Sequence, residues 1–299
     1  MDIVVFGAGS LGSLVGGLLA REHAVTLIAR DPHVTAVREA GLHVGGEFDF
    51  RVRPDATAAG TDLHADCAVV TVKAFNTENA ARQLATGEFD AVLSLQNGMG
   101  NEGTLAEYVN CPVIAGTATY GAVRTGPGEV ECTGVGNVVL GAREGGRSDA
   151  ARRVGAAFAE AGIETEVAED MPHRLWEKLA VNAGINPTTA LARVENEALA
   201  AGDACEIASA AARETAGVAR AEGVELADKD AVAAVAAVAE ATAANTSSMR
   251  QDVEAGRRTE VDAINGYVVS RGRERGVETP VNRTLVGLVR AWERENARA

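Results

Sequence analysis

The chain has 299 residues, long for one hydrophobic core and suited to two domains. Hydrophobic residues make up 46% and aromatic residues 4%, which excludes wholesale disorder and points to cores built from Ala, Val, Leu and Ile. A net charge of −14 opposes binding to nucleic acid or anionic membranes over any wide surface.

The first half alternates short apolar runs with helical patterns, the signature of parallel strands joined by crossover helices. Strands are expected at 3–6, 25–28, 67–72, 91–95 and 113–118, and helices at 11–21, 34–40, 77–84 and 103–108. Residues 120–141 read as an antiparallel hairpin appended to the sheet. A helix over 148–161 and a strand over 164–167 then close a first domain, 1–168. From about Glu169 the pattern is nearly all helical and rich in Ala and Glu, which makes 169–299 an all-helical second domain. The expected fold class is therefore α/β, an N-terminal Rossmann-type dinucleotide-binding domain followed by an all-helical C-terminal domain. Substrate clefts in proteins of this plan usually lie between the halves.

Gly7-Ala8-Gly9-Ser10-Leu11-Gly12 follows the first expected strand and opens a helix. Gly7 suits the tight turn, Gly9 the close approach of a pyrophosphate, and Gly12 helix-to-strand packing, with the phosphates on the free N–H groups of the helix start. Alone the motif is weak; its strand-loop-helix context makes dinucleotide binding the expectation. At the end of the second strand stand Arg30, Asp31 and Pro32. Asp before Pro reads as a helix cap, which leaves Arg30 to accept a 2′-phosphate and favours NADP over NAD.

Only three of the 28 basic residues are lysine: Lys73, Lys178 and Lys229. Arginine keeps its proton at any working pH, whereas lysine can give one up, so a retained lysine is a candidate acid. Lys178, Asn182 and Asn186 follow one another at i, i+4 steps and share one face of a helix. Two further segments supply polar groups at the carboxyl edge of the sheet, Lys73 after the third main strand and Asn97 in the loop 96–101 after the fourth. Downstream lie Ser247, Ser248 and Glu260; a straight helix would set Ser248 and Glu260 out of phase, so a break near Gly256 and a new helix from Thr259 are expected. Ser247 and Ser248 are both candidate caps, and the sequence does not choose between them.

Taken together, G-A-G-S-L-G, L-Q-N-G-M-G-N, E-K-L-A-V-N-A-G-I-N-P and the blocks T-S-S-M-R-Q-D and R-R-T-E-V-D-A-I-N-G-Y resemble the ketopantoate reductase (2-dehydropantoate 2-reductase) family, in order along the whole chain. The resemblance implies NADPH-dependent reduction of 2-dehydropantoate to (R)-pantoate, on the route to coenzyme A. It implies Lys178 as general acid and Glu260 as the essential substrate-binding carboxylate. It also implies Asn97, Asn182, Asn186 and Ser248 as substrate-binding groups, and Lys73 and Asn97 as cofactor contacts. Two other functions compete: a reductase of another 2-keto acid or an opine-type substrate, and a dinucleotide-sensing module without catalysis.

The four cysteines and five histidines lack ligand spacing, so neither a disulfide framework nor a metal is expected. The first residues lack the basic flank and cleavage site of a signal peptide, and no apolar stretch is long enough to cross a bilayer, so a cytoplasmic enzyme is expected. Helical second domains can pair, which leaves a homodimer open. The acidic, lysine-poor composition further suggests adaptation to high salt, although a GC-rich genome also converts lysine to arginine.

Overall fold

The computed structural model describes residues 1–296. Its contacts divide into two compact units, one of Met1–Gln96 with Asn101–Met171, the other of Asn97–Gly100 with Pro172 onward. The division falls three residues beyond the expected boundary at 168, and the middle of the loop 96–101 groups with the helical unit.

The first unit opens with β1 (Asp2–Phe6), α1 (Ser10–Leu19), β2 (Ala24–Ile28) and α2 (His33–Ala40). Three short strands follow, β3 (Leu42–Gly46), β4 (Phe50–Val52) and β5 (Asp55–Thr57). Then come β6 (His64–Val70), α3 (Thr77–Leu84), β7 (Glu88–Ser94), α4 (Asn101–Ala106) and β8 (Val113–Ala118). The unit ends with β9 (Gly121–Gly126), β10 (Glu129–Gly134), β11 (Val138–Ala142), α5 (Asp149–Glu160) and β12 (Thr165–Ala168).

Eight strands form the main sheet in the order β12-β11-β8-β7-β6-β1-β2-β5. All neighbours are parallel except β11 against β8. Both faces are covered, and strand alternation divides the core accordingly. Ile3, Val5, Cys67, Val69, Ala91 and Leu93 enter one apolar cluster, while Val4, Phe6, Ala68, Val70 and Val92 enter another on the opposite face.

The expected hairpin exists, but β9 and β10 belong to a separate four-stranded sheet, β4-β3-β10-β9, in which β10 runs parallel to β3. Sequence reading missed β3, β4 and β5 altogether. Helix α1 is packed between the two sheets. A Cβ on Gly16 would stand 2.5 Å from Leu27 of the main sheet, and one on Gly17 would stand 2.7 Å from Val44 of the small sheet. Two adjacent glycines are the local solution to having sheet on both sides.

The second unit is built of α6 (Met171–Ala192), α7 (Asp203–Ala221), α8 (Asp228–Ala241), α9 (Ser248–Glu254), α10 (Asn265–Arg275) and α11 (Pro280–Asn296). Its core is alanine-rich, with Ala180, Ala183, Ala208, Ala212, Ala216 and Ala219 buried among Leu, Val and Ile. Small side chains let helix backbones approach: a Cβ on Gly184 of α6 would lie 2.7 Å from the Ala208 carbonyl of α7. Polar groups lock the packing. Asn265 donates to Ala183 O and to Asn282 Oδ1, both at 2.9 Å. The Glu214 carboxylate accepts the Val281 and Asn282 N–H groups at the start of α11, where a negative charge also suits the helix dipole.

The break expected near Gly256 is present, with φ at +64°. The helix expected from Thr259 is not: residues 260–264 are turns and α10 begins at Asn265. The reason is local. The Thr259 N–H and hydroxyl both donate to Glu293 Oε1 at 2.7 Å, and the Val261 N–H goes to Thr259 Oγ1, so this backbone is held outside a helical path. No helix among the described residues is long and apolar enough to cross a membrane.

Candidate active site

In the first unit, the glycine loop follows β1 at the carboxyl edge of the sheet. The Gly7 and Ala8 N–H groups both donate to Ile28 O at the end of β2, at 3.1 and 2.8 Å. Gly7 has φ +110°, and a Cβ there would lie 2.6 Å from Val72. A Cβ on Gly12 would lie 2.4 Å from both Gly7 O and Thr71 Oγ1. Gly9 differs, because its Cβ position meets nothing nearer than Gly7 O at 3.9 Å and its φ is an ordinary −78°. The fold itself thus requires glycine at 7 and 12 but not at 9. The space beside Gly9, at the start of α1, is the cradle that a dinucleotide's phosphates would fill, and on this test the residues fit the cofactor.

The surrounding loops converge on this edge. Thr71 Oγ1 donates to Gly7 O at 2.9 Å, two residues before Lys73, which is half-buried and precedes a short 3-10 turn. Gln96 Nε2 donates to Val72 O at 3.0 Å and to Thr77 Oγ1 at 2.7 Å. Arg30 is exposed. Asp31 plays the structural part expected of it by a different bond: its Oδ1 accepts the Thr35 N–H at 3.2 Å and hydroxyl at 2.9 Å, with Pro32 just before α2.

A buried relay that sequence reading missed ties the loop to its neighbours. Ser13 Oγ on α1 donates to Ala8 O at 3.1 Å and lies 3.1 Å from His33 Nε2, while His33 Nδ1 accepts the Gly128 N–H at 3.0 Å. The hydroxyl's one proton goes to Ala8, so Nε2 must be the imidazole's donor and His33 the neutral Nε2–H tautomer. Burial, and then the nearby Arg124 guanidinium, lower its pKa from the ordinary 6.5. The Ser10 hydroxyl in turn accepts the Arg124 N–H at 3.1 Å. No local signal marks these pairs, whose members are 95 and 114 residues apart.

In the second unit, Lys178, Asn182 and Asn186 all lie on α6; the lysine and Asn182 are half-buried and Asn186 is buried. The segment 260–267 runs beside this stretch. Tyr267 packs on Trp176 with ring centroids 5.9 Å apart, and Asn265 holds Ala183 O, so the two contacts bracket Lys178 in sequence. Glu260 is 6% exposed, and its carbonyl accepts the Ala263 and Ile264 N–H groups at 3.1 Å. Asn97 is half-buried in the segment Asn97–Gly100, where the Met99 N–H donates to Ala263 O at 3.0 Å and a Cβ on Gly98 would meet that same carbonyl at 2.5 Å. At the other end of α6, Thr189 Oγ1 lies 2.7 Å from Ser247 Oγ. Buried Ser247 caps α9 by accepting the Arg250 N–H, whereas Ser248 is exposed. The cap therefore occupies Ser247 and leaves Ser248 as the site candidate. Among the described residues no group of three or more His, Cys, Asp or Glu could hold a metal.

Two family models match the sequence, Ketopantoate reductase PanE/ApbA over residues 3–145 and Ketopantoate reductase PanE/ApbA C terminal over residues 170–293. The 2-dehydropantoate 2-reductase of Halobacterium salinarum is 44% identical, over 99% of this chain and 100% of that one. A PanE/ApbA family ketopantoate reductase structure from Ralstonia eutropha JMP134 superposes with a TM-score of 0.90 at 34% identity, covering 99% of each chain. D-mandelate dehydrogenase, solved with NADH and anilino(oxo)acetate, superposes with a TM-score of 0.92 at 26% identity, again over 99% of each chain.

Proposed function

The chain belongs to the ketopantoate reductase family, and from that premise we propose that it reduces 2-dehydropantoate to (R)-pantoate with NADPH, using Lys178 as the proton donor. The observation that carries this reading is the gathering of Lys178, Asn182, Asn186, the Glu260 turn and Asn97 within one helical unit.

Bound NADPH supplies a hydride to the C2 carbonyl. The alkoxide so formed needs a proton, and the Lys178 ammonium both stabilises the growing charge and delivers that proton, leaving the alcohol. Asn97, Asn182, Asn186 and Ser248 offer neutral donors to the substrate carboxylate without competing with the lysine's charge. The Glu260 carboxylate accepts from the substrate hydroxyl and balances Lys178. On the cofactor side, Gly7, Ala8, Gly9, Ser10, Leu11 and Gly12 would hold the pyrophosphate, Lys73 and Asn97 would each contact the cofactor, and Arg30 would read the 2′-phosphate. We place the reaction in the cytoplasm, on a small 2-keto acid, without metal, nucleic acid or membrane.

A second reading, an NADH-dependent reductase of another 2-keto acid, is favoured by the likeness to D-mandelate dehydrogenase. Steady-state assays on a panel of 2-keto acids with NADPH and NADH separate the two. The first reading requires kcat/KM to be highest for 2-dehydropantoate with NADPH, and a clear preference for an aromatic or unbranched 2-keto acid with NADH sinks it.

A further inference from the structure

Arg30 is not the only arginine at the glycine loop. Arg124 lies on β9, the edge strand of the small sheet, and its N–H on that open edge is spent on Ser10 Oγ in the first turn of α1. Its strand is pinned a second time, four residues on, where the turn residue Gly128 donates to His33 Nδ1. His33 stands at the head of α2, and its own N–H donates to Arg30 O at 3.1 Å. Arg124 is therefore tied by its backbone to the phosphate end of α1 and, through the Gly128 turn, to the segment that carries Arg30. Burial first, and then the Arg124 guanidinium, lower the His33 pKa, so that charge is within electrostatic reach of the relay. Both arginines are exposed, and neither forms an ion pair with a described residue. In a chain with 42 acidic residues against 28 basic ones, two such cations around one loop point to an anion from outside the protein.

We propose that Arg124 is a specificity-determining residue, a second guanidinium that, with Arg30, clasps the adenosine 2′-phosphate of the cofactor. This rests on the NADPH reading above and deepens it. A dianionic phosphate presents several acceptor oxygens, more than one planar guanidinium can serve, so a second arginine adds a second charge-assisted contact. The double anchoring of β9 supplies preorganisation, which keeps the ordering cost of binding low.

Titration calorimetry with NADPH, NADH and 2′,5′-ADP on the wild type, Arg30→Ala, Arg124→Ala and Arg124→Lys tests the proposal. Arg124→Ala is expected to weaken NADPH and 2′,5′-ADP by roughly tenfold or more, to leave NADH within about twofold, and to melt like the wild type. Arg124→Lys should recover part of the 2′,5′-ADP affinity. NADPH affinity in Arg124→Ala within about twofold of wild type, or equal losses for NADPH and NADH, overturns the proposal. If the wild type still prefers NADPH and Arg30→Ala removes that preference, the cofactor reading survives the failure of Arg124. A wild type that does not prefer NADPH overturns both.

Discussion

His33 shows how a single side chain can set a pH dependence without touching substrate. Its neutral form is the one that donates to Ser13 and accepts from Gly128, and a proton on Nδ1 would set two donors face to face. Its folded pKa lies below 6.5, so the folded state binds the proton less readily than the unfolded chain. Stability is then full above about 6.5 and falls as the pH drops toward the lower folded value. Between pH 7 and about 5 the wild-type melting temperature should decline more steeply than that of His33→Asn, which starts lower because it breaks the relay. Parallel pH profiles would assign no such role to the imidazole.

At the scale of elements, the glycine loop separates what folding needs from what binding needs. Gly12→Ala sets a methyl against Gly7 O and Thr71 Oγ1 and should cost about 1–3 kcal/mol of stability. Gly9→Ala makes only an ordinary van der Waals contact, with Gly7 O at 3.9 Å; it should melt within about a degree of wild type while losing at least about tenfold in cofactor affinity. Thermal melts and calorimetry on the two variants check this, and a Gly9→Ala protein that binds normally would contradict the cradle. This loop was legible in the sequence because its constraints are local: a strand, a turn of positive φ, a helix start. The strands β3, β4 and β5 were not, being three to five residues long and glycine- or charge-interrupted, with β3 finding its parallel partner β10 some 86 residues later. The turn at 260–264 was misread as a helix because the bond that prevents one comes from Glu293, on α11. The face of α6 was legible, since i, i+4 spacing alone aligns Lys178, Asn182 and Asn186, whereas Arg124 and His33 were not, because only the fold brings them to the loop.

Over the whole molecule, a net charge of −14 with 25 of the 28 basic residues being arginine predicts a protein strengthened by salt. Self-repulsion among surface carboxylates is screened within about 10 Å at 0.1 M ionic strength and within about 3 Å at 1 M. Each 1 kcal/mol so regained would raise the melting temperature by roughly 2–4 °C in a domain of 150–250 residues. Scans from low to molar KCl should show a rise, and a flat or falling curve would remove the case for salt adaptation.

Proton donation by Lys178 is tested most directly by the turnover of 2-dehydropantoate in Lys178→Ala, with NADPH affinity measured on the same sample. A kcat at least about 100-fold below wild type, with the cofactor Kd within about twofold, is the expected result. A near-wild-type kcat would contradict it and return Lys178 to an ordinary helix-surface residue.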